Sequence, residues 1–222
     1  MKSLENQLVT ALTNANPNVD SAHDIAHVHR VWNNARAISQ GENAGDQRIL
    51  MAASYLHDLI NLPKNHPNRA AASVKSAKAA HPILTTIKFT PKDIDATQHA
   101  IAAHSFSANI HPETIEAKIL QDADRIDALG AIGIARTFAV SGALGRPLFD
   151  PTDPFAIHRP LDDHRYAIDH WPLKLLRLPA QMKTNTGKTI AITRSKIMYD
   201  YLDTLSKELD MKITPDSPFF LS

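Results

Sequence analysis

The stretch at residues 47–59, "QRILMAASYLHDL", decides the fold. It is a long apolar run without the two-residue alternation of a half-buried strand, so it reads as a core helix. It ends on an adjacent pair, His57–Asp58, two groups that prefer water where a helix should be turning into a core. The pair has two readings. In one it is a helix end, with His57 favouring the dipole and Asp58 capping the next turn. In the other the pair shares a bound cation, because neighbours on a helix point about 100° apart and one ion lodged between them can take both side chains.

The flanking sequence is also helical. Residues 3–14 form a short amphipathic pattern. Residues 22–40, "AHDIAHVHRVWNNARAISQ", place Ile25, Val28, Val31, Trp32, Ala35 and Ile38 at three- and four-residue steps, with Gly41 as a stop. Residues 68–80 look like a partly exposed helix. "FTPKDI" starts another, with Thr90 as cap, Pro91 in the first turn and Asp93 near the positive end of the dipole, running to about His104. Helical spacing then continues through "HPETIEAKILQDADRIDALGAIGIARTFAVSG" to about Val140. No segment alternates for long and β-branched clusters are few, so the expected class is all-α. Residues 141–181 mix prolines, acids, histidines and aromatics, as a lid or a loop strapped over the bundle would. A closing helix follows at 187–209. There is no internal repeat or clear linker, so one domain is expected over 1–222.

Composition narrows the function. Net charge is +1 in 222 residues, which argues against a large basic face for nucleic acid. The absence of cysteine excludes disulfides and thiolate metal sites and makes a reducing, cytoplasmic setting the expectation. "MKSLENQLVTAL" lacks the apolar core of a signal peptide, and no apolar run approaches a membrane span. Twelve histidines favour metal or acid–base chemistry.

Polar groups recur inside otherwise apolar helices: His27 in "HDIAHVHRV", His57 and Asp58 in "YLHDL", and Asp122, Asp124 and Asp127 in "QDADRIDALGAIG". Buried without partners they would be costly, and a divalent cation removes that cost for several at once. Imidazole plus carboxylate suits manganese, iron, cobalt, nickel or zinc. His29 competes with His27, and Asp122 with Asp124. Gly130 and Gly133, one turn apart, suggest close approach of another backbone. "TGKT" at 186–189 is not a phosphate loop, because Met182 stands where its first glycine belongs.

The order His27-x-x-Arg30-Val31, then His57-Asp58, then Ala123-Asp124-Arg125 resembles the HD-domain superfamily of metal-dependent phosphohydrolases over about residues 20–135. The longer stretches "HDIAHVHRVW", "HSFSANIHPETIEAKILQDADRIDALGAIGIAR" and "DPFAIHRPLDD" resemble its small bacterial YedJ-like branch. The resemblance implies an all-α HD-type bundle and one divalent ion (Mn, Mg, Co, Ni, Fe or Zn) held by His27, His57, Asp58 and Asp124. Asp124 follows a small residue and precedes a basic one, as the family's last ligand does. Asp122, Asp127 and His23 are then candidates to orient ligands or waters around the ion.

For chemistry beyond the ion, Asp58, His104 and Lys64 are the catalytic candidates, and Lys64 and Arg69 the phosphate-binding ones. His104 would serve as an acid or phosphate donor. Many family members carry an acid shortly after the His-Asp pair. Here "HDLINLPK" has Asn61 and none nearby, so no general base is assigned. Branches with two metals carry adjacent histidines between the pair and the last Asp, and His66, His81, His99, His104 and His111 are not adjacent, which favours one ion. The implied function is hydrolysis of a nucleotide or similar small phosphorylated metabolite, with a lean to nucleoside triphosphate pyrophosphohydrolase. The aromatic and basic residues of 149–171 are candidates to hold base and phosphates. The alternative is a nucleotide-binding regulatory module that keeps the metal without turnover. Neither nucleic acid nor membrane is an expected partner, and the oligomeric state is open.

Overall fold

The computed structural model describes residues 2–15, 25–60, 69–214 and 217–219. Among these there is no strand. The helices are α1 (Lys2–Ala15), α2 (Ile25–Glu42), α3 (Gln47–Leu56), α4 (Ala72–Thr86), α5 (Pro91–His104), α6 (Ile115–Ile126), α7 (Gly130–Ala143), α8 (His170–Leu173) and α9 (Asn185–Glu208). The all-α expectation holds.

The chain forms two compact units. One comprises Met1–Asp124 with Lys183–Gly187, the other Arg125–Met182 with Lys188–Ser222. In the first, α3 packs against α1, α2, α4 and α5. That explains its all-round apolar composition: every residue from Ile49 to Leu56 is buried. Asp46 caps it, its carboxylate accepting from Arg48 N at 2.7 Å and Ile49 N at 3.1 Å. The regular helix stops at Leu56, not at Leu59, so His57 is its C-cap and Asp58 lies in the turn.

Other boundaries also differ from the sequence pattern. α2 runs past Gly41, because the side chain of Thr186 packs where a Gly41 Cβ would stand. The chain turns instead at Asn43, whose φ is 49°. Ile25, placed on the apolar stripe by its spacing, is exposed at the helix start. α4 extends through Pro82 to Thr86, closed by Ile87 N donating to Ile83 O and Lys88 N to Thr85 O. α5 starts as expected, with Thr90 Oγ1 accepting from Asp93 N at 3.2 Å.

The second unit shows the largest departure. The helical pattern that seemed continuous to Val140 breaks between Ile126 and Gly130. Leu129 is extended (φ −114°, ψ 165°) and Gly130 takes φ +70°, a region open to glycine. Gly133 then presses on the Ala128 carbonyl with no room for a Cβ, the close backbone approach its spacing suggested. The core of this unit is aromatic: Trp171 packs between Phe138 and Tyr201 and donates from Nε1 to Thr137 Oγ1 at 3.1 Å.

Candidate metal centre

Three helices and one turn of the first unit bring distant residues together. His27 sits in the first turn of α2, His57 caps α3, Asp58 follows it, and Asp124 lies near the end of α6. His27 Nε2 is 3.6 Å and His57 Nε2 3.8 Å from Asp124 Oδ1. His57 Nε2 is also 3.6 Å from Asp58 Oδ2. These separations are too long for hydrogen bonds and suit donors grouped around a space between them.

A fifth member is His104, at the end of α5. Its Nε2 lies 3.6 Å from Asp58 Oδ1, and its ring stands edge-on to His57 at 4.9 Å between centroids. Two sets, His27–His57–Asp124 and His57–Asp58–His104, each bring one ligand atom per residue within 4.8 Å of the others. The sequence assigned His104 to acid chemistry and gave no sign that it stands so close to the ligands. The available signal was its place at the end of a helix, after the apolar run Ala100–Ala103.

Local geometry fixes the tautomers. His57 Nδ1 is 2.8 Å from Ser54 O, and His104 Nδ1 is 2.6 Å from Ile101 O. A carbonyl only accepts, so each Nδ1 carries the proton and a neutral ring presents the bare Nε2 lone pair to the cluster. His57 Nε2 is buried with no hydrogen-bond partner. Burial holds the His57 pKa below its ordinary value, with Asp58 and Asp124 opposing, so this imidazole is neutral as a ligand must be. Burial also acts against the charged form of His104, but the Asp58 and Asp124 carboxylates outweigh it and raise its pKa.

The imidazoles are sealed and the carboxylates are not. The His27 and His57 side chains are 2% and 0% exposed, while those of Asp58 and Asp124 are 26% and 29% exposed. The donor set thus has a closed imidazole wall and a carboxylate edge open to solvent. A partnerless buried Nε2 among imidazoles and carboxylates fits a divalent cation.

Asp122 does something different. Its buried carboxylate accepts from Lys183 N at 2.9 and 3.0 Å, Thr184 N at 2.8 Å and Thr184 Oγ1 at 2.7 Å. It ties residues 183–187 to α6, and Gly187 is close enough that a Cβ would stand 2.5 Å from Asp122 Oδ2. Gly187 of "TGKT" is therefore packed against this anchor. Asn34 Nδ2 donates to Ala123 O at 3.1 Å, fixing the backbone just before Asp124, a role hidden in sequence by its place in an apolar stripe. In the second unit, buried Asp127 pairs with Arg136 at 2.9 Å.

The remaining candidates are accounted for as follows. Lys64, His23, Asn61 and His66 lie outside the described residues. Arg69 opens the short 3-10 turn Arg69–Ala71, half-buried. His29 Nδ1 is 2.9 Å from Tyr55 Oη, and that hydroxyl donates to Glu5 at 2.7 Å. His99 Nε2 accepts from Glu113 N. In 149–171 the cationic and aromatic groups have internal partners. Arg159 bonds Asp169 in two places (2.6 and 2.9 Å) and lies over Tyr166, whose hydroxyl donates to Asp150. Asp163 takes His170 and Lys174.

An all-helical chain that draws a His, a His-Asp pair and a distant Asp into one cluster has the HD architecture. This chain belongs to the HD-domain family, whose sequence model matches residues 24–129. It is 34% identical over 193 residues to YpgQ of Bacillus subtilis (strain 168), covering 85% of each chain. The crystal structure of Bacillus subtilis YpgQ in complex with ADP is similar, with a TM-score of 0.70 and 32% identity over 93% of this chain and 95% of that one. An HD-superfamily hydrolase from Bacillus thuringiensis superposes with a TM-score of 0.73 and 32% identity, over 95% and 98% of the two chains. Among the described residues, no single helix is long and apolar enough to cross a membrane.

Proposed function

We propose that this chain is a divalent-metal-dependent phosphohydrolase acting on a nucleotide or a similar small phosphorylated metabolite, of the nucleoside triphosphate pyrophosphohydrolase type. The observation that carries the reading is His57 Nε2, fully buried, without a hydrogen-bond partner and facing two carboxylates. His27, His57, Asp58 and Asp124 are the residues that would hold the ion. When bound, it supplies positive charge to polarise a phosphoryl oxygen and acidify a water.

The chain's own residues do the rest. Ser54 O fixes the His57 tautomer, and Asn34 and Asp122 fix α6 just before Asp124. Asp58, on the open edge, orients an attacking water. His104, its pKa raised, donates from Nε2 to a phosphate oxygen when its ring is protonated. Arg69 supplies positive charge toward the phosphates. Hydrolysis forms one P–O bond from water and breaks one phosphoanhydride bond. For a triphosphate cut at the α-phosphorus, the products are a monophosphate and pyrophosphate. The ADP complex of YpgQ supports a nucleotide as ligand.

The test is metal content of the purified protein against Asp58→Ala, followed by a nucleotide panel with manganese, magnesium and cobalt. The expected result is bound metal in the wild type only, with release of monophosphate and pyrophosphate. Metal-loaded protein that hydrolyses nothing on the panel overturns the reading and leaves a binding module.

A further inference from the structure

The loop between α5 and α6 carries Phe106, which is 78% exposed. Among the described residues no other phenylalanine, tyrosine or tryptophan falls in the exposed class. An exposed phenylalanine by itself carries no meaning, but the place of this one does. It stands two residues after His104, and two residues of chain span at most about 7 Å. His104 Nε2 is in turn 3.6 Å from Asp58 Oδ1, on the solvent-open edge of the cluster.

The loop is held at both ends. Asn109, at φ 51°, closes a turn by donating from N to Phe106 O at 3.3 Å. The Ser105 and Ser107 hydroxyls pair at 3.0 Å, and Glu113 N donates to His99 Nε2 at 3.0 Å. The ring is therefore carried on a turn fixed relative to the two helices that bring His104 and Asp124 to the site. Tyr166, an aromatic of the 149–171 segment, is buried, with Arg159 and Arg165 over its ring at 4.6 and 5.0 Å.

From this placement we infer that Phe106 is a specificity-determining residue, the platform on which the base of a nucleotide stacks while its phosphates lie at the His57–Asp58 edge. The inference rests on the nucleotide reading above. Stacking on a phenyl face tolerates any base and adds affinity only to ligands that have one. The serine hydroxyls beside it are suited to hydrogen bonds at a base edge.

The test is equilibrium titration of manganese-loaded wild type, Phe106→Ala and Phe106→Trp with ADP and with pyrophosphate. ADP and pyrophosphate share the two phosphates and differ by the nucleoside. Phe106→Ala is expected to weaken ADP by about 5- to 100-fold, the range of one base–aromatic stack, and to leave pyrophosphate within two-fold. Phe106→Trp keeps or strengthens ADP. Equal ADP binding by wild type and Phe106→Ala overturns the proposal, and so does an equal loss of ADP and pyrophosphate. If the wild type hydrolyses no nucleotide but binds ADP, the enzymatic reading fails while the titration still decides Phe106. Wild type that binds no ADP overturns both.

Discussion

Replacing His57 with leucine separates a ligand histidine from a core histidine by the sign of the stability change. The ring is fully buried, its Nδ1 bonded to Ser54 O and its Nε2 without a hydrogen-bond partner. In metal-free protein, His57→Leu removes a buried unmet acceptor, recovering about 1–3 kcal/mol, and loses one neutral hydrogen bond worth about 0.5–1.5 kcal/mol. The volume is nearly conserved, so no large cavity forms. The net is between about −0.5 and 2.5 kcal/mol in favour of the variant. At about 2–4 °C per kcal/mol for a chain of this size, Tm should be lower by no more than about 2 °C or higher by up to roughly 10 °C. Manganese reverses the order. At 100 times its Kd it stabilises the wild type by about 2.7 kcal/mol, or roughly 5–11 °C, and His57→Leu should show almost none of that rise. The assay is thermal unfolding followed by circular dichroism, with chelator and across a manganese titration. A metal-free variant several degrees less stable than wild type, or one that keeps the full manganese shift, refutes the reasoning.

Three further outcomes follow from the same geometry. Asp122→Ala leaves Lys183 N, Thr184 N and Thr184 Oγ1 without their acceptor and should cost about 3–5 kcal/mol, read as a lower urea midpoint. Gly187→Ala forces a Cβ against Asp122 Oδ2 and Thr184 Oγ1 and should cost about 1–3 kcal/mol, whereas the same change at Gly142, where the Cβ meets nothing within 4 Å, should not destabilise. For Asp163, burial pushes its pKa up, but hydrogen bonds from Lys174 and His170 outweigh this and bring it down to about 2 from the ordinary 3.8. Its folded pKa is depressed, so its stabilisation is complete above about pH 4 and is lost as pH falls through 2. The gap in urea midpoint between wild type and Asp163→Asn should close over that window, and a gap constant from pH 5 to pH 2 would contradict the assignment.

Much of the fold could be read from local pattern, because helices declare themselves over a few residues. Thr90-Pro91 set the start of α5 through one side-chain acceptor and one fixed φ, and neither depends on distant chain. The boundaries misread were those set by something far away. α2 passes Gly41 because Thr186 packs on it, and the pattern from Ile115 to Val140 breaks where Gly130 turns under the side chain of Arg194. The reading of 149–171 as a holder of base and phosphates met the same limit. Its Arg159, Tyr166 and His170 look available to hold a nucleotide, but Asp169, Asp150 and Asp163 occupy them.

The site divides the same way. The order His27, His57-Asp58, Asp124 is a property of the chain, and each residue sits in an apolar run that must be packed, so the sequence alone required those polar groups to be brought inward together. Helical pattern did not decide between Asp122 and Asp124, and only the family resemblance favoured Asp124. Two residues apart on a helix are turned by about 200°, so only one of them faces the histidines while the other faces away. Which one does so depends on how α6 is rotated against its neighbours. That rotation is fixed by Asn34 on the Ala123 carbonyl and by the donors of residues 183–184 on the Asp122 carboxylate. These contacts span 89 and about sixty positions of chain, a separation at which local pattern carries no signal. Tertiary packing therefore sends Asp122 to the anchor and Asp124 to the histidines, and it also places His104 beside Asp58.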